Sequence, residues 1–421
     1  MSRAAADTAR LVAARTLMRA IRDDAYVDRA LRSEAAKLAP RDHGLARALT
    51  YAAVQRRATL AFWIEELTGR PVESLDDEVL VPLELGLVQL GLMDRIPPHA
   101  AVSETVDVAK RLSNRGGDRL VNAALRRVTA HGLPPLPGDD TPADAAITHS
   151  VPEWLAAQWF EEFGADEARA LLRRINEPAE RAIRVNTLQA TLDEVRAELD
   201  VPVRGDDELP DALVLQESVD LEHTALWERG AIVAQSRGAQ LAGHLLAPTA
   251  GEQVLDLCAA PGGKTSHLAA LMGGGDGLMA VEAHPGRAAA LRRTLDRLGA
   301  HSATVVTGDA LAPPAALRGR FDAILLDPPC AALGTLQRQP DVRWRATPER
   351  TAELVADQSR MLEAALPLLA PGGRLLYSVC SIGAAESDAV LAAVNATATM
   401  RRSVLPHRDH TDGFEYALIG G

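Results

Sequence analysis

With 421 residues, 47% of them apolar and 24% charged, the chain is long enough for two or three domains with full-sized cores. No apolar run approaches the roughly 18 residues of a membrane span, and three cysteines without a pairing pattern indicate a reducing compartment. These features argue against membrane and secreted classes, and the formal net charge of −12 argues against a uniformly basic nucleic-acid binder.

The N-terminus, MSRAAADTARLVAARTLMRAIRDD, has no apolar h-region, and Asp7, Asp23 and Asp24 argue against a transit peptide, so a cytoplasmic protein is expected. Residues 1–131 read as all helix. Apolar residues recur at helical spacing through Leu11, Leu17 and Ile21, and again through Val102, Val106 and Leu112. Segment 79–93 (VLVPLELGLVQLGLM) is apolar nearly all round, which predicts a buried central helix with Pro82 in its first turn. The run GLPPLPGDDTPAD at 132–144 marks a linker. A mixed region follows, with helix over 152–175 and strand candidates AIRVNTL (182–188) and LVLQ (213–216). From 251 onward VLDL, LMAVEA, TVVTGDA, AILLDPP and RLLYSVC alternate with helical stretches, which predicts a parallel, doubly wound sheet.

Basic charge is almost all arginine, the lysines being Lys37, Lys110 and Lys264. Two stretches concentrate it: Lys110, Arg111, Arg115, Arg119, Arg126 and Arg127, and then Arg338, Arg343, Arg345 and Arg350. Both are candidate contacts for a phosphate backbone; solvated helix faces are the plainer alternative.

The run GEQVLDLCAAPGGKTSHLAALM reads as strand, glycine-bearing turn and helix, a loop that brings backbone N–H groups close to a ligand. A dinucleotide would require Gly-x-Gly-x-x-Gly, which is absent. Gly263-Lys264-Thr265 match a nucleotide triphosphate loop, but Cys258 replaces its first glycine. S-adenosylmethionine fits better. Glu282 closes the second strand, 26 residues after Asp256, where it can accept from ribose hydroxyls, and Asp309 ends the third, where it can accept from the adenine amino group.

After the fourth strand comes Asp327-Pro328-Pro329-Cys330, and the fifth ends at Cys380 in YSVCS. Carbon-5 of a pyrimidine is a weak nucleophile, and adding a thiolate to carbon-6 turns the ring into an enamine that attacks from carbon-5. An acid bonded to ring nitrogen 3 would stabilise the developing charge. Two thiols flanking an acid at neighbouring strand ends suit that chemistry. Which thiol attacks is open at this point, since DNA cytosine-5 methyltransferases take their nucleophile from the Pro-Cys step, here Cys330.

These motifs resemble the NOL1/NOP2/Sun family of RNA cytosine-5 methyltransferases over nearly the whole chain. LDLCAAPGGKT, DPPC, YSVCSI and the terminal DGFEYA fall in the family's order, and RVNTL (184–188) resembles its signature before the catalytic sheet. RDHGLARAL, PPHAAVSETVDVAKR and LVNAALRR resemble NusB, an RNA-binding transcription factor. The resemblance implies several domains: an all-α NusB-like domain (1–135), a linker (136–150), a small α+β RNA-binding subdomain (151–245) and an α/β Rossmann-like methyltransferase domain (246–421). It implies Cys380 as nucleophile, Cys330 as the residue that assists product release, and Asp327 as a contact to the base and cofactor. Cys258, Ala259, Ala260, Pro261, Gly262, Gly263, Lys264, Glu282, Asp309 and Asp327 would hold S-adenosylmethionine. The expected partner is ribosomal RNA, with transfer RNA or a non-catalytic RNA-binding role as alternatives. A monomer without a metal ion is expected.

Overall fold

The computed structural model describes residues 8–36, 38–113, 116–314 and 317–420, so Asp7, Lys37 and Arg115 lie outside the described residues. The chain divides into two compact units, Met1–Asn176 with Arg343–Arg345, and Glu177–Val342 with Ala346–Gly421. Among the described residues no helix is long and apolar enough to cross a membrane.

The first unit is helical. Its central helix, Asp77–Gly91, buries every residue from Val81 to Gln89. Each leucine enclosed there contributes about 1.5–3 kcal/mol of burial. A side chain at Gly86 would come within 2.5 Å of Leu125, so the glycine admits the helix Gly117–His131 to close contact. The helix starts earlier than its apolar periodicity suggests, because Asp77 and Glu78 favour its positive end, and Pro82 consequently sits in the second turn. The proline-rich run after Gly132 carries no helix until Pro142–His149.

Arg343 is not available to phosphate. It is fully buried in this unit, where its Nη1 donates to the carbonyls of Gln55 (3.2 Å) and Ser150 (2.9 Å) and to Asn176 Oδ1 (3.1 Å). Nη2 adds a bond to the Ile175 carbonyl at 3.4 Å. Gln55, Ser150 and Ile175 end the helices Pro40–Gln55, Pro142–His149 and Ala165–Arg174, so one guanidinium satisfies carbonyls that three helix C-termini leave unpaired. Arg345 pairs with Asp24 at 2.9 Å and stacks over Tyr26.

The second unit holds two sheets. The small one contains β1 (Ala182–Val185), β2 (Val203–Gly205), β3 (Ala212–Leu215) and β4 (Ile232–Ala234), antiparallel in the order β2-β3-β1-β4. The large one contains β5 (Val254–Leu257), β6 (Leu278–Glu282), β7 (Thr304–Thr307), β8 (Phe321–Leu326), β9 (Leu369–Val379), β10 (Met400–Val404) and β11 (Phe414–Gly420). Its order is β10-β11-β9-β8-β5-β6-β7. Strands β5 to β9 are parallel as expected, but β11 runs antiparallel to β9 and β10 antiparallel to β11. The short link from β10 to β11 cannot make the long crossover that parallel pairing requires. The chain leaves β5 towards β6 on one side and returns through β8 on the other, so the strand order switches there and a crevice opens at the carboxyl ends.

The RVNTL segment joins the sheets. Arg184, wholly buried on β1, donates to Gln235 Oε1 (2.9 Å) and to Ser266 Oγ (2.8 Å) on the helix Gly263–Leu271. Asn186 Nδ2 donates to the carbonyls of Gly230 and Leu298. Beside them Asp211 lies between two imidazoles, with His244 Nε2 2.7 Å from Oδ1 and His267 Nε2 2.9 Å from Oδ2. Burial, followed by the charge of Arg184, pushes the His267 pKa down to about 4. Burial opposes ionisation of Asp211, but its bonds to the two histidines hold the carboxyl well below its usual range. An Asp-His-His set has the donors for a metal ion, but the buried guanidinium already supplies the compensating charge and would repel a second cation.

Candidate active site

The carboxyl ends of β5, β6, β8 and β9 meet around a cleft of about 310 Å³, a size suited to a small-molecule ligand. Of the residues expected to hold a cofactor, Cys258, Ala260, Glu282, Asp309 and Asp327 line it, together with Cys330 and Cys380. Ala259, Pro261, Gly262, Gly263 and Lys264 shape the loop without lining the cleft. A larger cavity, about 620 Å³, lies in the helical unit between Pro98–Leu112 and Gly117–His131 and contains none of this chemistry.

The β5 loop is built for close approach. Cys258 takes a left-handed backbone (φ 65°), a conformation that costs a non-glycine residue energy and turns the chain sharply off the strand. Gly262 (φ 106°) permits a second such turn, and a Cβ there would lie 2.8 Å from Leu291. Beneath the loop, Thr265 Oγ1 donates to Asp256 Oδ2 at 2.6 Å. Burial pushes Asp256 up to about 7 against that bond, with Asp327 adding to the rise.

Lys264 is tied to the neighbouring strand end. Its ammonium donates to Asp327 Oδ2 at 2.7 Å and sits 5.0 Å from the centre of the Phe414 ring. Burial lowers the lysine, but the charges of Asp327 and Cys380 outweigh it and leave the group firmly cationic. A lysine held in this way is not extended towards a ligand's phosphates. Glu282, buried at the end of β6, accepts from the His284 N–H (3.0 Å) and faces Arg287 at 3.3 Å. Asp309 lies two residues beyond β7, where its carboxylate accepts from the Leu311 N–H. The cleft thus gathers three carboxylates, Glu282, Asp309 and Asp327, against two cations, Arg287 in its lining and Lys264 behind Asp327.

The two thiols meet. Cys330 Sγ and Cys380 Sγ are 3.3 Å apart, within hydrogen-bond distance for sulfur. The bond to Cys380 and then burial push the Cys330 thiol well up, with the Cys380, Glu386 and Asp327 charges adding to it. Cys258 is pushed up to about 12, mainly by burial. Arg287 and Met361, which also line the cleft, carry no motif and were not legible in the sequence.

The basic stretches divide. Arg338 is spent on Asp412 and the Glu180 carbonyl, and Arg350 pairs with Glu353. Arg127 donates to the Leu67 carbonyl and Arg126 to Asn122 Oδ1, and Arg111, Arg119, Arg126 and Arg127 are all exposed on the helical unit.

Comparison with known proteins agrees with this layout. The family model for 16S rRNA methyltransferase RsmB/F matches residues 243–401, a NusB family model matches 7–130, and a ferredoxin-like domain of RsmF/B-like methyltransferases matches 151–222. A probable ribosomal RNA small subunit methyltransferase B of Synechocystis sp. is 33% identical over 94% of both chains. The chain belongs to the RsmB/F methyltransferase family. The ribosomal RNA small subunit methyltransferase B of Sodalis glossinidius is likewise 33% identical, over 97% of both chains. A methyltransferase homologue from Pyrococcus horikoshii is similar in structure (TM-score 0.59, 26% identity) over 66% of this chain and 98% of its own. The crystal structure of PH0851 has the same fold over 99% of both chains, with a TM-score of 0.81 at 24% identity.

Proposed function

We propose that the protein methylates carbon-5 of a cytosine in small-subunit ribosomal RNA, using S-adenosylmethionine and a covalent cysteine–cytosine intermediate. The observation that carries this reading is the contact of two thiols, 3.3 Å apart, on one cleft beside the Lys264–Asp327 pair. The ribosomal target is supported by the names of the relatives, and exposed arginines on the NusB-like unit suit a phosphate backbone.

Glu282 is the acceptor for the ribose hydroxyls and Asp309 the acceptor for the adenine amino group, with the Cys258–Ala260 backbone alongside. The excess of carboxylates suits a sulfonium cation and opposes a triphosphate. S-adenosylmethionine supplies an electrophilic methyl group when bound. Cys380 adds to carbon-6 of the cytosine, which makes carbon-5 nucleophilic. Asp327, fixed by Lys264, contacts the base. Cys330, its own proton passed to solvent, takes the carbon-5 proton, and the electrons of that bond expel Cys380 from carbon-6 as thiolate, which releases the methylated base.

The test is a denaturing gel of enzyme, S-adenosylmethionine and protein-free small-subunit ribosomal RNA. Cys330→Ala should accumulate a shifted protein–RNA band and Cys380→Ala should not. A band from Cys380→Ala instead would reverse the two roles, and none from either variant would remove the covalent step.

A further inference from the structure

The Cys330 loop is held by residues that none of the cofactor or thiol chemistry requires. Glu386, six residues beyond Cys380 and buried, accepts through one oxygen, Oε1, from the Ala331 N–H (2.9 Å) and from Gln358 Nε2 (2.9 Å). Gln358, fully buried on the helix Pro348–Ala365, also donates from Nε2 to the Pro329 carbonyl (2.9 Å). Its Oε1 lies 3.0 Å from Tyr377 Oη, and the same hydroxyl lies 2.8 Å from the Glu386 carbonyl. The backbone is therefore gripped immediately before and immediately after Cys330, and the grip is referred to β9, which carries Tyr377 three residues before Cys380. Gln358 uses both N–H groups and its oxygen in this arrangement, which leaves its amide one orientation.

A carboxylate buried for packing alone would be costly, and both donors it receives belong to one construction. We propose that Glu386 and Gln358 are positioning residues that set the Cys330 sulfur against Cys380 and the bound base, and so govern release of the methylated product. This rests on the reading of Cys330 as the release residue. The acceptor oxygen, not the negative charge, does the positioning, so glutamine at 386 can replace glutamate and alanine cannot.

Two measurements test it. The first is release of the covalent adduct in a single turnover with S-adenosylmethionine and protein-free small-subunit ribosomal RNA. Glu386→Ala should slow release by about 100-fold, the scale of a 1 Å misplacement of a reacting group, and should accumulate the band that Cys330→Ala accumulates. Glu386→Gln should restore release. The second is alkylation of the RNA-free enzyme with iodoacetamide, read by peptide mass spectrometry. Glu386→Ala should change Cys330 labelling on the order of tenfold relative to Cys380, as expected when a thiol's exposure changes, and Glu386→Gln should not. If Glu386→Ala does not yield folded protein, Gln358→Met removes the contacts to Pro329 and Glu386 and takes both assays. Native release and native labelling in the alanine variant would overturn the proposal, as would a glutamine variant no better than alanine. If Cys330→Ala traps no adduct, the release reading fails, and labelling alone then decides whether the grip positions Cys330.

Discussion

Two polar clusters are buried on either side of the start of one helix, Gly263–Leu271. Lys264 reaches Asp327 beside the thiol cleft, whereas Ser266 and His267 reach Arg184 on the small sheet and Asp211 just before its β3. Both contain groups displaced from their ordinary ionisation, and Arg184 and His267 are as strongly perturbed as Cys258. Only the first opens on the cleft. Perturbed ionisation therefore does not distinguish a site of chemistry from a joint between sheets; access to a ligand does. In the second cluster Asp211 takes both imidazoles and Arg184 bonds Gln235 and Ser266, contacts that hold β1 and the residue before β3 against the helix Gly263–Leu271.

If that division is right, substitutions in the first cluster should cost activity and those in the second stability. Lys264→Met should slow methyl transfer by roughly 10²–10³-fold, the loss typical of removing one preorganised charged donor, while its melting temperature stays close to native. A large loss of stability with unchanged turnover would erase the distinction. Arg184→Met should destabilise the catalytic unit by about 3 kcal/mol in chemical denaturation, because Asp211 then remains buried without its nearby guanidinium. Native stability in that variant would mean the joint is dispensable.

The pH response sharpens the comparison further. His267 has its folded pKa depressed to about 4 from 6.5, so below pH 6.5 the unfolded chain takes up a proton that the folded chain refuses. Stability should therefore fall as pH drops from 6.5 towards 4, by about 2.5 kcal/mol. His267→Asn should flatten that slope without altering the covalent step. An unchanged slope would place the acid sensitivity elsewhere.

Much of this architecture is written in local pattern. Alternating apolar strands and helices announced the five parallel strands, and the strand-end motifs marked Cys258, Glu282, Asp327, Cys330 and Cys380, since side chains at the carboxyl ends of a wound sheet converge whatever the intervening loops. Asp309 was visible too, although the strand stops at Thr307, two residues before it.

Tertiary structure alone decided the rest. Charge runs cannot say where a side chain goes: Arg343 counted as surface charge until three helix C-termini enclosed it, and Arg338 until Asp412 took it. The antiparallel turn of β10 and β11 depended on the length of their link. Lys264 reads as part of the cofactor loop from its motif, and only the folded chain, which brings Asp327 just after β8 and Phe414 on β11 to it, shows its neighbours. Glu386 and Gln358 had no signal at all, and Tyr377 only its place in YSVCSI, because three residues from separate elements acquire meaning only when they meet at one loop. Sequence determines what each residue can do within a few positions of itself; partners far apart in the chain are chosen by packing.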